Sequence, residues 1–484
     1  MNSVDAHDDD APASPVSRSL IVDETSSLWR PILRLAAPVM AEELLMLLVG
    51  YTDWWLTGQF LSGAEPKAAM ALMSYMMWLM PSLFSAIAIG ATAVIARRVG
   101  EKRPGEANLA ANQSLALGAV IAAVGTVLVL GSAQFIPAVM QLNPGSARLA
   151  SEYLGIVSWV IPLIMCEQVV AASLRGAGDT VTGFLAKSIV VVVNLIVSAG
   201  LVTGWGPFPE LGWKGLAIGT ACGHGLGGAL LLLVFLYGRS GLKMRRSLLR
   251  PRVEVIRLLL RIGLPGGMDM AAILICQFAF VALINRMGDQ AAAAHGLAVQ
   301  IEALAYMPGS AFQVAAATLA GQFLGAGYPQ LARRSAKTCL LCGGIVMCVA
   351  GSGYAIYGHE LAGLFTRADD VQTRETTATL LRIVALGMPA LAICMIGAGT
   401  LRGAGDTRWP LLTTLLGFCF VRLPLAIVLG WNLETAGELA NLLPFWGWGV
   451  EGAWYAMIVD LYVRSSLIAG RLIHGGWQQI RMHA

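Results

Sequence analysis

Ser173-Leu174-Arg175-Gly176-Ala177-Gly178-Asp179-Thr180 returns 227 positions later as Thr400-Leu401-Arg402-Gly403-Ala404-Gly405-Asp406-Thr407. Each copy closes one long apolar segment and opens the next. At nearly the same offset Leu-Arg-Leu-Ala-Ala-Pro, ending at Pro38, matches Leu-Arg-Ile-Gly-Leu-Pro, ending at Pro265, and Pro81 and Gly100 find partners in Pro308 and Gly325. The chain is a tandem duplication. Repeats of this length in an apolar chain mark two symmetric lobes with a substrate path between them.

Composition sets the solvent. With 56% hydrophobic and 13% charged residues and a mean hydropathy of +0.68, most of the chain belongs in lipid. A helix crossing ~30 Å of hydrocarbon needs ~20 residues. The charge-poor stretches fall near 31–57, 68–96, 109–136, 153–174, 182–203, 213–238, 256–285, 291–323, 336–358, 377–401, 409–431 and 449–473. The reading is an all-α polytopic membrane protein with twelve transmembrane helices in two homologous six-helix lobes. It divides into a disordered tail (1–28), a first lobe (29–238), a basic linker (239–255), a second lobe (256–475) and a closing tail (476–484).

Orientation follows from Lys and Arg. Of the 33 basic residues, 24 fall on the side of the N-terminus and the linker, 7 on the other side, and Arg422 and Arg464 inside spans. Both termini are therefore expected in the cytoplasm of a multi-pass inner-membrane protein. Residues 1–28, with Asp5, Asp8, Asp9 and Asp10, have no basic-then-apolar signal pattern. The basic run from Arg239 to Arg252 orients the chain and touches anionic headgroups, at ~1 kcal/mol per basic residue. A nucleic-acid partner has no basis beyond it.

Enzymatic chemistry finds no footing. The eight cysteines lie almost all inside apolar spans, as small hydrophobes. Cys339-Leu-Leu-Cys342 lacks the second ligand pair of a zinc site, and His224 and His295 stand alone. No His-Glu-x-x-His, Gly-x-Ser-x-Gly or phosphate-cradling loop occurs. The expectation is a non-enzyme without cofactor.

What remains is polar residues where lipid should be. A charged side chain at a helix centre costs ~2.5–3.5 kcal/mol on the insertion scale, so such residues should face a cavity. Glu42, Glu43, Asp53, Glu167, Asn194, Asp269, Glu302 and Asp460 qualify. Glu42 and Asp53 are eleven residues apart, which at ~100° per residue returns to within roughly 20° of one face. Asn194, Ser198 and Thr220 fall at depths near Asp53, so the first lobe can gather oxygen ligands at one level. Tyr51, Trp54, Trp55, Tyr75, Met76, Met77, Trp78 and Met80 offer aromatic and thioether surface, suited either to an adaptable cavity or to lipid-facing anchoring.

The duplicated Leu-Arg-Gly-x-Gly-Asp-Thr, the proline near the start of each lobe, Asp53 in a Thr-Asp-x-x-x-x-Gly context and the twelve-span plan resemble the multidrug and toxic compound extrusion (MATE) transporters, over about residues 30–475. The resemblance implies a V-shaped pair of six-helix bundles that exports small organic cations in exchange for H⁺ or Na⁺, acting as a monomer in the bilayer. It implies a first-lobe coupling site at Asp53, Asn194, Ser198 and Thr220, with Glu42 nearby; Na⁺ would be held by Asp53, Asn194 and Thr220, and no other metal is expected. Ser198 stands where the family carries a second acid, which favours H⁺ because a proton needs one acceptor and Na⁺ several oxygens. Asp269 matches Glu42 by repeat symmetry and with Glu302 offers a second-lobe site. Arg175, Asp179, Arg402 and Asp406, in the repeated loops, read as structural or gating residues. The competing function is a lipid-linked oligosaccharide flippase of the same superfamily, which needs a cavity rich in Arg and Lys.

Overall fold

The computed structural model describes residues 27–140, 142–366, 370–432, 435, 445–480 and 482. The expected tail 1–28 thus lies almost wholly outside the described residues. The described chain is helical, and its one extended pairing is the bridge between Arg239 and Leu242 in the linker.

Six spans form each lobe. In the first they are α1 (Trp29–Phe60), α2 (Glu65–Ser82) with α3 (Ser85–Gly100), α4 (Pro104–Ser132), α5 (Pro144–Ser158) with α6 (Ile161–Gly176), α7 (Val181–Thr203) and α8 (Trp213–Tyr237). The second holds α9 (Val253–Asn285), α10 (Asp289–Gly325), α11 (Pro329–Gly363), α12 (Val371–Gly403), a composite span of α13 (Arg408–Leu415), a π-helical turn (Leu416–Arg422) and α14 (Leu423–Gly430), and α15 (Gly449–His474). Eight spans are long and apolar enough to cross a membrane by themselves, and the bent pair α5–α6 makes a ninth. The remaining three, α1, α10 and α15, have the length but not the apolarity. They carry Asp53, Glu302 and Asp460, so what weakens their lipid signal is the polar content of the lobe interiors.

Prolines at matching repeat positions act differently in the two lobes. Pro81 ends α2 one residue before a break, whereas its counterpart Pro308 lies inside the unbroken α10. Pro162 opens α6 after a 57° bend, while its counterpart Pro389 sits inside a continuous α12. A proline removes one backbone donor and crowds the preceding turn; neighbouring helices decide whether that becomes a bend.

The lobes meet at the end that carries the basic loops. There α3 packs on α9, and α10 packs on both α1 and α3. Small residues permit the approach: a Cβ on Gly90 would meet the carbonyl of Leu259, and one on Gly263 would overlap that of Ala86. The start of α1 (Ile32, Leu35, Ala36, Val39) belongs to the apolar core of the second lobe, and the start of α9 (Leu258, Leu259, Ile262) to that of the first. Each lobe's first helix thus seals the other at the basic end. After α15, Trp477 is buried in the second lobe, while Arg97 and Arg98 of α3 donate to the carbonyls of Ile480 (3.3 Å) and Met482 (3.2 Å). Toward the opposite end α2 touches α9 only lightly, with Tyr75 against Phe278 at 5.7 Å between ring centres. The cleft is shut at the basic end. Val124, Val127, Leu128 and Val349 stay more than half exposed on the outer faces, where lipid would cover them.

Candidate functional site in the first lobe

Helices α7 and α8 lie close enough for side chains to interlock because α8 carries a seam of glycines. A Cβ on Gly219 would overlap Ser198, and one on Gly223 would crowd the Val190 carbonyl and Asn194. That approach brings the Asn194 amide to 3.2 Å from Thr220 Oγ1 and 3.4 Å from Ser198 Oγ, donating to both. Tyr153 of α5 shares a 3.0 Å hydrogen bond with the same Thr220 hydroxyl. From α1, the Asp53 carboxyl closes the group beside Thr220 and Asn194.

Burial decides how Asp53 is read. It is 7% exposed, with Asn194 at 1%, Ser198 at 0% and Thr220 at 2%, so a carboxylate merely solvated at the membrane boundary is not what the fold holds. Asp53 Oδ1 and Asn194 Oδ1 are buried with no hydrogen-bond partner among the described residues. Buried acceptors are normally satisfied, and a pair of open oxygens beside one carboxylate suits a cation or a proton.

Below Asp53, toward the basic end, lies a second group that sequence reading missed. Glu167 of α6 takes Lys187 Nζ at 2.6 Å and His224 Nδ1 at 3.0 Å, all three side chains buried. His224 is one turn from Thr220 and Lys187 two turns from Asn194, so the polar file continues along both helices. Sequence reading placed Lys187 among the cytoplasmic loop cations, and His224 as an isolated residue. Both belong inside the lobe, where Glu167 supplies their counter-charge.

Glu42 does not share the Asp53 site. It pairs with Arg175 of the repeated motif at 3.3 Å. The duplication reproduces this in the second lobe, where Asp269 takes Arg402 at 2.5 Å. Thr318 and Gln322 of α10 donate to the carbonyls of Arg175 and Gly176, both at 3.0 Å, tying the first motif to the second lobe. Asp179 accepts from the Thr182 N–H (3.0 Å), from Arg239 (3.0 Å) and from Ser240 (3.1 Å). Burial raises its pKa, but these donors outweigh that and hold the carboxyl below its usual range. Asp406 takes Arg471 at 2.8 Å. The loop residues are thus held in ion pairs.

Glu302 lines a 370 Å³ cavity in the second lobe that Asp269 also reaches, together with Arg402, Arg422 and Arg464. His295 accepts the indole N–H of Trp454 at 3.1 Å. The eight cysteines are free thiols.

A profile of the MatE family matches residues 38–199 and 265–428, two stretches that begin 227 residues apart and each cover the larger part of one lobe. The chain is 26% identical over 462 residues to a protein of Thermotoga maritima named probable multidrug resistance protein NorM, covering 94% of this chain and 95% of that one. It is 25% identical over 447 residues to the multidrug resistance protein MdtK of Yersinia pestis, covering 92% and 94%. Among solved structures it superposes on a MOP-superfamily transporter of Pyrococcus furiosus, described as having a binding pocket of reversed polarity, with a TM-score of 0.86, 17% identity and coverage of 97% and 100%. It also superposes on an outward-facing multidrug resistance MATE transporter, with a TM-score of 0.85, 18% identity and coverage of 96% and 100%. With the profile spanning both halves of the duplication and the fold shared over nearly its whole length, the chain belongs to the MatE family of transporters.

Proposed function

We propose that the protein is an inner-membrane antiporter, both termini cytoplasmic, that exports small amphipathic organic cations in exchange for a coupling cation taken up at Asp53. The observation that carries this is the buried Asp53 with its unpartnered oxygen, supported by Asn194 and Thr220. Relatives named for multidrug resistance support the drug-export reading.

The basic end is the cytoplasmic one by its Lys and Arg excess, so a cleft shut there is open to the outside. In that state a proton reaching Asp53 removes the counter-charge of a cationic drug, and the drug leaves. Lobe rocking then opens the cytoplasmic end, where proton loss restores the carboxylate for the next drug. Exchange of one proton for one monovalent cation moves no net charge, so the drive is the proton concentration difference, ~1.4 kcal/mol or tenfold in drug gradient per pH unit.

H⁺ is favoured over Na⁺ because Ser198 leaves the site one formal negative charge. Asp53, Asn194 and Thr220 supply four side-chain oxygens, few for a metal cation that prefers a fuller shell.

The test is efflux of a fluorescent cation from proteoliposomes with pH and Na⁺ gradients imposed separately. A pH gradient should drive wild type, and Asp53→Asn should abolish transport while leaving the melting temperature intact. Normal efflux by that variant would remove Asp53 from the mechanism.

A further inference from the structure

Three arginines inside one lobe of a cation exporter need a reason. Arg402 comes from α12, Arg422 from the π-helical turn and Arg464 from α15, and all three line the 370 Å³ cavity. They share two carboxylates. Arg402 takes Asp269; Arg422 reaches Asp460 through Nη2 at 2.7 Å and Nε at 2.9 Å; Arg464 Nε sits 3.0 Å from the other oxygen of Asp460.

The last contact is an ion pair without hydrogen-bond geometry, so Arg464 donates no hydrogen bond among the described residues. It is nonetheless 8% exposed. Its Nε is buried without a hydrogen-bond partner among the described residues, and a buried donor left unmet is costly. Phe418 lies between two of the arginines, its ring centre 4.2 Å from the Arg422 guanidinium carbon and 4.7 Å from that of Arg464. The π-helical turn puts Phe418 there, and Gly417 makes room, since a Cβ would overlap Asp460. Such turns frequently mark functional sites.

A purely structural cluster would not look like this. One arginine would neutralise Asp460, and apolar replacement of a buried ion triad is often stabilising. Here a second arginine is added, its fork left open and facing a cavity of small-molecule size, ~300–1,000 Å³ being the usual range.

We propose that this cavity in the second lobe binds the carboxylate of an amphipathic aromatic ligand, with Arg464 as its fork-shaped partner. A guanidinium matches a carboxylate through two parallel hydrogen bonds, and Met270, Met395, Met457 and Phe418 supply an adaptable apolar wall. Glu302 of α10 lines the same cavity, makes no hydrogen bond among the described residues, and offsets the surplus positive charge. It therefore limits affinity for an anion. The site is separate from Asp53 and stands whichever ion couples there.

The experiment uses the purified full chain in detergent at neutral pH, with 2-naphthoate and methyl 2-naphthoate as probes, which share one ring system and differ in charge. Binding is measured calorimetrically after subtraction of partition into empty micelles. Naphthoate should bind wild type at least about tenfold more tightly than the ester. Arg464→Gln should erase that preference while folding normally, because Arg422 still holds Asp460. Glu302→Gln should raise naphthoate affinity about tenfold and leave the ester unchanged, and Asp53→Asn should alter neither. Equal binding of the two probes by wild type, or a preference that survives Arg464→Gln, would overturn the proposal. An unchanged preference in Glu302→Gln would overturn its account of Glu302.

Discussion

Gly100 and Gly325 stand at two-fold-related points of the crossing between α3 and α10, each under a carbonyl that the other helix lays across it. A methyl group on Gly100 would overlap the carbonyl of Gln322, and one on Gly325 that of Arg97. Overpacking of this kind costs ~1–3 kcal/mol, and here the cost falls on one state of the transporter. Gly325→Ala should therefore shift the equilibrium away from the closed basic end by roughly 5- to 150-fold. Distances between spin labels placed on α3 and α10 near that end should lengthen. An unchanged distance distribution would mean that the crossing does not set the conformational balance.

The two motif arginines are predicted to differ in stability cost. Arg402 and Asp269 are 8% and 1% exposed at the side chain, whereas Arg175 and Glu42 are at 21% and 9%. Removing one partner of a buried pair costs ~3–5 kcal/mol because the other charge is stranded. Arg402→Ala should lower the melting temperature far more than Arg175→Ala, and Arg402→Gln with Asp269→Asn should recover most of the loss. Equal losses from the two alanine variants would count against this account.

Asp179 gives a pH-dependent case outside the spans. Its folded pKa is depressed, so its contribution to stability is present above the unfolded carboxyl's ~3.9 and is lost as pH falls through the lower folded value. Asp179→Asn keeps an acceptor for the Thr182 N–H but gives up the charge facing the exposed Arg239, a loss of about 0.5–1 kcal/mol. The melting difference from wild type should be measurable at neutral pH and close below about pH 4. A difference that persists undiminished in acid would point to packing instead.

How legible these features were depended on distance along the chain. The duplication placed the twelve spans, because Pro38 and Pro265, or Gly100 and Gly325, are local signals that repeat. It could not say that Pro162 would follow a bend while Pro389 would sit in a continuous helix, since both prolines stand in apolar sequence. Asp53, Asn194 and Thr220 were reachable from depth and family resemblance. Glu167 with Lys187 and His224, and Asp460 with Arg422 and Arg464, were not. Except for Arg464, one turn from Asp460, their counter-charges lie 20 to 57 residues away, and nothing local tells a paired lysine from a loop lysine. Glu42 turned to Arg175 for the same reason.

Ser198 offers the sharpest test of ion choice. It lies one turn from Asn194 and accepts from its amide at 3.4 Å, so Ser198→Asp would put a second carboxylate beside the Asp53 group. Two close carboxylates repel unless a metal cation neutralises them. Drug efflux from proteoliposomes carrying only a Na⁺ gradient should rise above wild type. No gain in a variant with normal melting would show that charge count at this position does not select the ion.

The exchange of first helices carries a lesson about ancestry. Residue 100 meets 322 while 325 meets 97, and the start of each lobe completes the core of the other. Reciprocal contacts of this form are those of an isologous pair, in which one patch serves both partners of a two-fold dimer. The single chain keeps that geometry, with residues 239–252 joining what symmetry had already matched. Neither half owns a finished hydrophobic core, so the unit that folds is the pair, and the covalent link between the halves adds proximity to an interface that is complete without it.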